Sequence, residues 1–224
     1  MADTHSVKIL MTRFITHDVK QFVVSRPEGF TFEPGQGVEL AIDAPGWADK
    51  GRPFTPTNLP EDDVLEFTIK GYADHEGGVT RKLHKLEAGA KLLMSNPFGT
   101  IKYQGPGVFI AGGAGITPFL AIFRQRAKTV DVDKNVLLFS NKTPADVICE
   151  RELRHYLGEH CILTCTAEAG TGYLNRRIDK AVLAETIDRF DQHFYLCGPK
   201  KFMEAITAAL KDLGARPQSL VFEK

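Results

Sequence analysis

The chain has 224 residues, 43% of them hydrophobic and 25% charged, the composition of an ordinary folded protein and a length for one large or two small domains. Its 28 basic residues balance 28 acidic ones, and a formal net charge of zero argues against a broad electrostatic footprint for nucleic acid or anionic lipid. Met1 to Lys8 holds no apolar run of signal-peptide type, and the uncharged stretch over residues 108–123 falls short of the roughly 20 apolar residues a membrane span requires. A cytoplasmic protein without a membrane segment or nucleic-acid partner is expected.

In chain order, strands are predicted over residues 7–11, 20–24, 37–42 and 64–69, rich in β-branched and aromatic side chains. The turn signals between them are Pro27-Glu28-Gly29, Glu33-Pro34-Gly35, Ala44-Pro45-Gly46 and Leu59-Pro60-Glu61. Closely spaced strands with such punctuation fit a small antiparallel barrel or a sandwich, interrupted by one short helix over residues 79–86. After Gly105-Pro106-Gly107 the rhythm changes. Strands over 108–111, 135–139, 161–166, 194–197 and 219–222 alternate with helical patterns running through residue 126, over 146–157 and over 200–213. That alternation predicts βαβ units around a parallel sheet. The domains are expected at residues 1–104 and 105–224.

Cys149, Cys161, Cys165 and Cys197 show neither paired C-x-x-C spacing nor the C-x4-C-x2-C run of a plant-type iron–sulfur site, so no metal is assigned and reduced thiols are expected. The histidines form no Ser-His-Asp or His-Glu-x-x-His arrangement. The chemistry points instead to Gly113-Ala114-Gly115-Ile116-Thr117-Pro118, which follows a predicted strand and opens a predicted helix. Glycines there let backbone approach a pyrophosphate, and the helix N-terminus offers free N–H groups. Pro118 suits the first helical turn. Tight packing of helix on strand would also explain such a turn.

Four motifs in order decide between these readings: Arg52-Pro53-Phe54-Thr55, Gly77-Gly78-Val79-Thr80, the G-x-G-x-x-P turn ending at Pro118, and Cys197-Gly198-Pro199. Together with Phe32-Glu33-Pro34-Gly35-Gln36 and Pro97-Phe98-Gly99, they resemble the ferredoxin–NADP reductase superfamily. The resemblance implies a six-stranded antiparallel flavin-binding barrel followed by a parallel-sheet NAD(P)-binding domain. It implies that Arg52, Pro53, Phe54, Thr55, Gly77, Gly78, Val79 and Thr80 hold FAD, with Ile69 and Lys70 flanking it. Gly78, Val79 and Thr80 would cap a short helix facing the FAD phosphates, and Thr55 would hydrogen-bond near flavin N5. Phe54 departs from the family's Tyr and loses one hydroxyl contact, about 1 kcal/mol.

On the nucleotide side the resemblance implies Gly113, Gly115, Thr117, Pro118, Asn141, Lys142, Cys197, Gly198 and Pro199, with Cys197 beside the nicotinamide and, with Thr55, one of two catalytic positions. The choice between NADPH and NADH stays open, because Lys142 and Glu168 pull in opposite directions. The implied activity is hydride transfer from NAD(P)H to FAD, then electron transfer to a separate carrier such as flavodoxin or ferredoxin. With no fused carrier module before Lys224, a separate acceptor and a monomer are expected. A reductase component of a multicomponent oxygenase is the second reading; a non-enzymatic flavin or nucleotide sensor is the third.

Overall fold

The computed structural model describes residues 4–72, 77–99, 101–129 and 131–222. The chain forms two compact units, Met1–Thr100 with Thr117–Arg124, and Ile101–Ile116 with Gln125–Lys224. Packing thus departs from chain order: residues 101–104 join the second unit, and most of one helix from the later half joins the first.

The first unit contains β1 (Thr4–Phe14), β2 (Val19–Ser25), β3 (Val38–Ile42), β4 (Arg52–Phe54), β5 (Val64–Lys70) and β6 (Lys91–Ser95) in the antiparallel order β4-β3-β6-β1-β2-β5. Past β4 the chain reaches β5 through the Pro56↔Phe67 bridge and the Thr57 N–H donating to Glu66 O at 2.7 Å, so the sheet curls into a nearly closed barrel. Side chains two apart on a strand share a face. Accordingly Val7 and Ile9, Phe22 and Val24, Val38, Leu40 and Ile42, Leu65, Phe67 and Ile69, and Leu92 and Met94 make one core. Burying each such side chain contributes about 1.5–3 kcal/mol. A short helix, α1 (Val79–Leu83), covers part of it. The carbonyls just past its end meet a buried cation: Lys20 Nζ donates to His84 O at 3.2 Å and Leu86 O at 3.0 Å and pairs with Glu87 at 3.3 Å.

The second unit contains β7 (Gly107–Gly112), β8 (Val136–Asn141), β9 (Cys161–Cys165), β10 (His193–Cys197) and β11 (Leu220–Phe222), all parallel, in the order β11-β10-β7-β8-β9. β7 is buried at every position, as expected of a strand covered on both faces. The helices of the later half are α2 (Thr117–Ala127), α3 (Glu150–Leu157), α4 (Lys180–Thr186) and α5 (Lys200–Asp212). Val182 and Leu183 of α4 and Ile206 and Leu210 of α5 pack against Val108, Ile110, Leu138, Phe194 and Leu196 of the sheet. At the entry to β7 the Gln104 N–H donates to Tyr195 Oη at 2.8 Å, and that hydroxyl donates to Gly105 O at 2.8 Å. Burial pushes this phenol up to about 12. Among the described residues no helix is long and apolar enough to cross a membrane.

Candidate functional site

In an open parallel sheet, ligands bind beyond the carboxyl ends of the strands where the strand order reverses. Here that point lies between β7, whose successors β8 and β9 go one way, and β10, which pairs on its other side with Cys197 opposite Ala111. Two of the sequence motifs meet there. After β7, Gly113 turns the chain in the left-handed region at φ 53° and opens a 3-10 turn, Gly113–Ile116. That turn runs into α2, with Ile116 at its N-cap and Pro118 in its first turn.

The reason for glycine differs along this turn. A Cβ on Gly113 would meet open space, so its glycine is set by backbone conformation alone. A Cβ on Gly115 would lie 2.3 Å from Cys197 O and 2.7 Å from Gly198 N. One on Gly198 would lie 2.8 Å from Phe202 Cδ1 and 3.1 Å from Gly112 N. The G-x-G-x-x-P turn and the Cys197-Gly198-Pro199 segment therefore interlock backbone to backbone. Cys197 is half-buried.

Beside this turn, β8 ends in Asn141, 5% exposed, whose Oδ1 and Nδ2 both lack a hydrogen-bond partner among the described residues. Leaving a buried amide unmet costs about 1–3 kcal/mol. The buried Thr164 hydroxyl on β9 is likewise unpartnered. Lys142 follows with an exposed side chain. Glycines that admit no Cβ, a helix N-terminus and unmet polar groups at the strand ends fit a dinucleotide, with its pyrophosphate on the turn.

In the first unit, β4 carries the Arg52-Pro53-Phe54 motif on the edge of the sheet, opposite Leu40, Glu39 and Val38 of β3. Proline is tolerated on such an edge strand. Phe54 leans partly buried against the barrel core, while Arg52 is exposed and donates from Nη1 to Gly51 O at 2.7 Å. The Pro56↔Phe67 bridge brings this segment, with Thr55, alongside the end of β5 where Ile69 and Lys70 sit. The exposed Arg52 guanidinium is a fork of donors suited to a phosphate group.

Two expectations change in detail. Thr80 does not cap α1: Gly78 is the N-cap, without a side-chain hydrogen bond, and Thr80 lies inside the first turn. The helix closes at Leu83 rather than residue 86, with a turn on to Leu86. Ile69 is 2% exposed, its side chain given to the barrel core, while its carbonyl accepts from His84 Nε2 at 2.8 Å. The Lys70 ammonium is paired with Asp18 at 2.8 Å.

Sequence reading passed over one polar knot. Arg124, the first charge after the apolar start of α2, donates from Nη1 to Glu66 Oε1 and to Thr57 O, each at 2.6 Å. The Thr57 hydroxyl donates to the same carboxylate oxygen at 2.6 Å. Arg124 and Glu66 side chains are each 18% exposed. A lone arginine closing an apolar helical run was its only signal.

The oxidoreductase FAD-binding domain model matches residues 6–103, and the oxidoreductase NAD-binding domain model matches residues 109–208. The chain belongs to the ferredoxin–NADP reductase superfamily and is an FAD- and NAD(P)-binding oxidoreductase of that group. It is 26% identical over 232 residues to the ferredoxin–NAD(P)+ reductase component of the naphthalene 1,2-dioxygenase system of Pseudomonas putida, covering 97% of this chain and 69% of that protein. Over 233 residues it is 29% identical to the glycine betaine monooxygenase reductase subunit of Chromohalobacter salexigens, covering 94% of this chain and 61% of that subunit. The chain thus spans roughly two thirds of the length of these curated relatives. A solved ferredoxin–NADP+ reductase from Neisseria gonorrhoeae with bound FAD and NADP shares the fold, with a TM-score of 0.84, 22% identity, and coverage of 100% of this chain and 99% of that one.

Proposed function

We propose that this chain takes a hydride from a reduced nicotinamide nucleotide and delivers the electrons, through FAD, to a separate one-electron carrier protein, ferredoxin or flavodoxin. The observation that carries this reading is the interlock of Gly115 with Cys197 and Gly198 where the strand order reverses, beside the unmet amide of Asn141. Bound FAD supplies the chemistry, accepting two electrons as hydride and releasing them singly. The chain binds, orients and keeps water out.

Gly113, Gly115, Thr117 and Pro118 seat the pyrophosphate, Asn141 and Lys142 take the adenosine end, and Gly198 and Pro199 fix Cys197 beside the nicotinamide. On the flavin, Arg52 neutralises phosphate charge, Phe54 offers an apolar face and Thr55 a hydroxyl near N5, while Pro53 stiffens that strand. Backbone of Ile69 and Lys70 flanks the ring, and Gly77, Gly78, Val79 and Thr80 present N–H groups to the diphosphate. That several relatives are named as oxygenase reductase components favours, as a second reading, an oxygenase system as destination of the electrons.

An absorbance spectrum of the purified protein, followed by anaerobic titration with NADH and NADPH, tests the reading. A flavin spectrum bleached by nucleotide at catalytic rates is expected; a colourless protein that refuses added FAD would overturn it. Two variants separate the roles. Arg52→Ala is expected to lower FAD occupancy, weakening FAD binding by about tenfold, the worth of one charge-assisted contact. Cys197→Ala is expected to keep its FAD and slow flavin reduction by at least about tenfold; unchanged stopped-flow kinetics would remove Cys197 from the site.

A further inference from the structure

The corner beyond β8 and β9 bears on which nicotinamide nucleotide is used, an inference that rests on the reductase reading above. After β9 the backbone folds back onto the end of β8. The N–H groups of Thr166, Ala167 and Glu168 all donate to Lys142 O, at 3.1, 2.8 and 3.3 Å, and the Thr166 hydroxyl reaches Asn141 O at 3.2 Å. Glu168 is thereby held next to the Asn141–Lys142 strand end with its side chain exposed, while the Asn141 amide stays buried and unmet.

Several charges on the neighbouring segments are anionic or already paired, while Arg177, next in the chain to Arg176, is exposed. Asp146 accepts from the Thr143 N–H at 2.8 Å and its hydroxyl at 2.7 Å. Arg154 is committed to Glu150 at 2.8 Å and Gly172 O at 3.0 Å, with its guanidinium 5.4 Å over the Tyr173 ring. Tyr173 Oη donates to the other oxygen of Glu150 at 2.6 Å. Arg176 is paired with Glu185. Burial, and after it the charges of Glu150, Asp146 and Glu168, push the Cys165 thiol up, so three carboxylates act on this one strand end.

A 2′-phosphate brings close to two negative charges and asks for a bidentate arginine, whereas a free ribose diol asks for an acceptor. The lysine beside Glu168 is a single point charge without a planar fork. We propose that this corner reads the adenosine ribose as an unphosphorylated diol, with Glu168 accepting from its hydroxyl, and that the chain therefore uses NADH in preference to NADPH.

The test uses the full FAD-loaded chain. Calorimetric titration with NAD+ and with NADP+ gives binding without turnover, and anaerobic flavin reduction by NADH and NADPH gives the efficiency ratio. NAD+ is expected to bind at least about tenfold tighter than NADP+, with reduction favouring NADH in the same sense. Glu168→Arg is expected to strengthen NADP+ binding by about tenfold and collapse that ratio, at unchanged FAD content. Equal affinities, a preference for NADP+, or a ratio unmoved by Glu168→Arg would overturn the assignment while leaving a working reductase. Failure of both nucleotides to bind or to bleach the flavin would overturn the reductase reading with it.

Discussion

Gly115→Ala is expected to reduce nucleotide-driven flavin reduction by at least about 100-fold while the FAD stays bound. The new methyl would lie 2.3 Å from Cys197 O, 2.5 Å from Cys197 C and 2.7 Å from Gly198 N, all backbone atoms that no rotamer change can move aside. Either the turn after β7 or the segment after β10 has to shift, and a displacement near 1 Å in positioning groups costs about 10²-fold. The barrel core draws on none of these residues, so flavin content and the visible spectrum of the oxidised protein are expected to persist. Gly113→Ala is the control. Its methyl meets open space, so only the left-handed φ of 53° opposes it, a cost of about 1–2 kcal/mol. Stopped-flow reduction of both variants checks the order; wild-type kinetics in Gly115→Ala would refute the interlock as the basis of the site.

Arg124→Met is expected to destabilise the protein by about 2–4 kcal/mol. It leaves the Glu66 carboxylate, 18% exposed, without its cation and the Thr57 carbonyl without a 2.6 Å donor. Stranding one partner of a largely buried pair costs far more than the pair itself contributes. Glu66→Leu combined with Arg124→Met removes the stranded charge, so the double variant is expected to be more stable than Arg124→Met alone. Urea denaturation of the two single variants and the double variant measures this; additive losses would show that the ion pair carries no coupling.

Nine of the eleven described strands were legible because alternation and unbroken apolar runs are local. Val64–Lys70 alternates, and β7 is apolar from end to end. Three elements were not legible, the first being β4, three residues long with Pro53 at its centre. In β6, Leu92 and Met94 face the core, but Leu93 between them blurs the period. In α4, Lys180–Thr186 is too short to show a helical repeat, and its one marker is Asp179, whose side chain accepts from the Val182 N–H at 2.9 Å. The motifs were legible as residues but not in their physical reason. That Gly115 lacks a Cβ because Cys197 lies against it is a contact between distant parts of the chain, and so is the Arg124–Glu66 pair. The grouping of Thr117–Arg124 with the barrel unit has the same character, since packing rather than chain order decides it.

The backbone lock among Gly112, Gly115 and Gly198 also fixes what ligand capture costs. Loops that order only around a ligand surrender conformational entropy at that moment, and affinity falls by that amount. This turn is already closed against its neighbour, held by contacts that no side-chain motion can loosen. A nucleotide arriving there loses its own freedom and little of the protein's, so recognition is spent on charge and shape rather than on building the receptor.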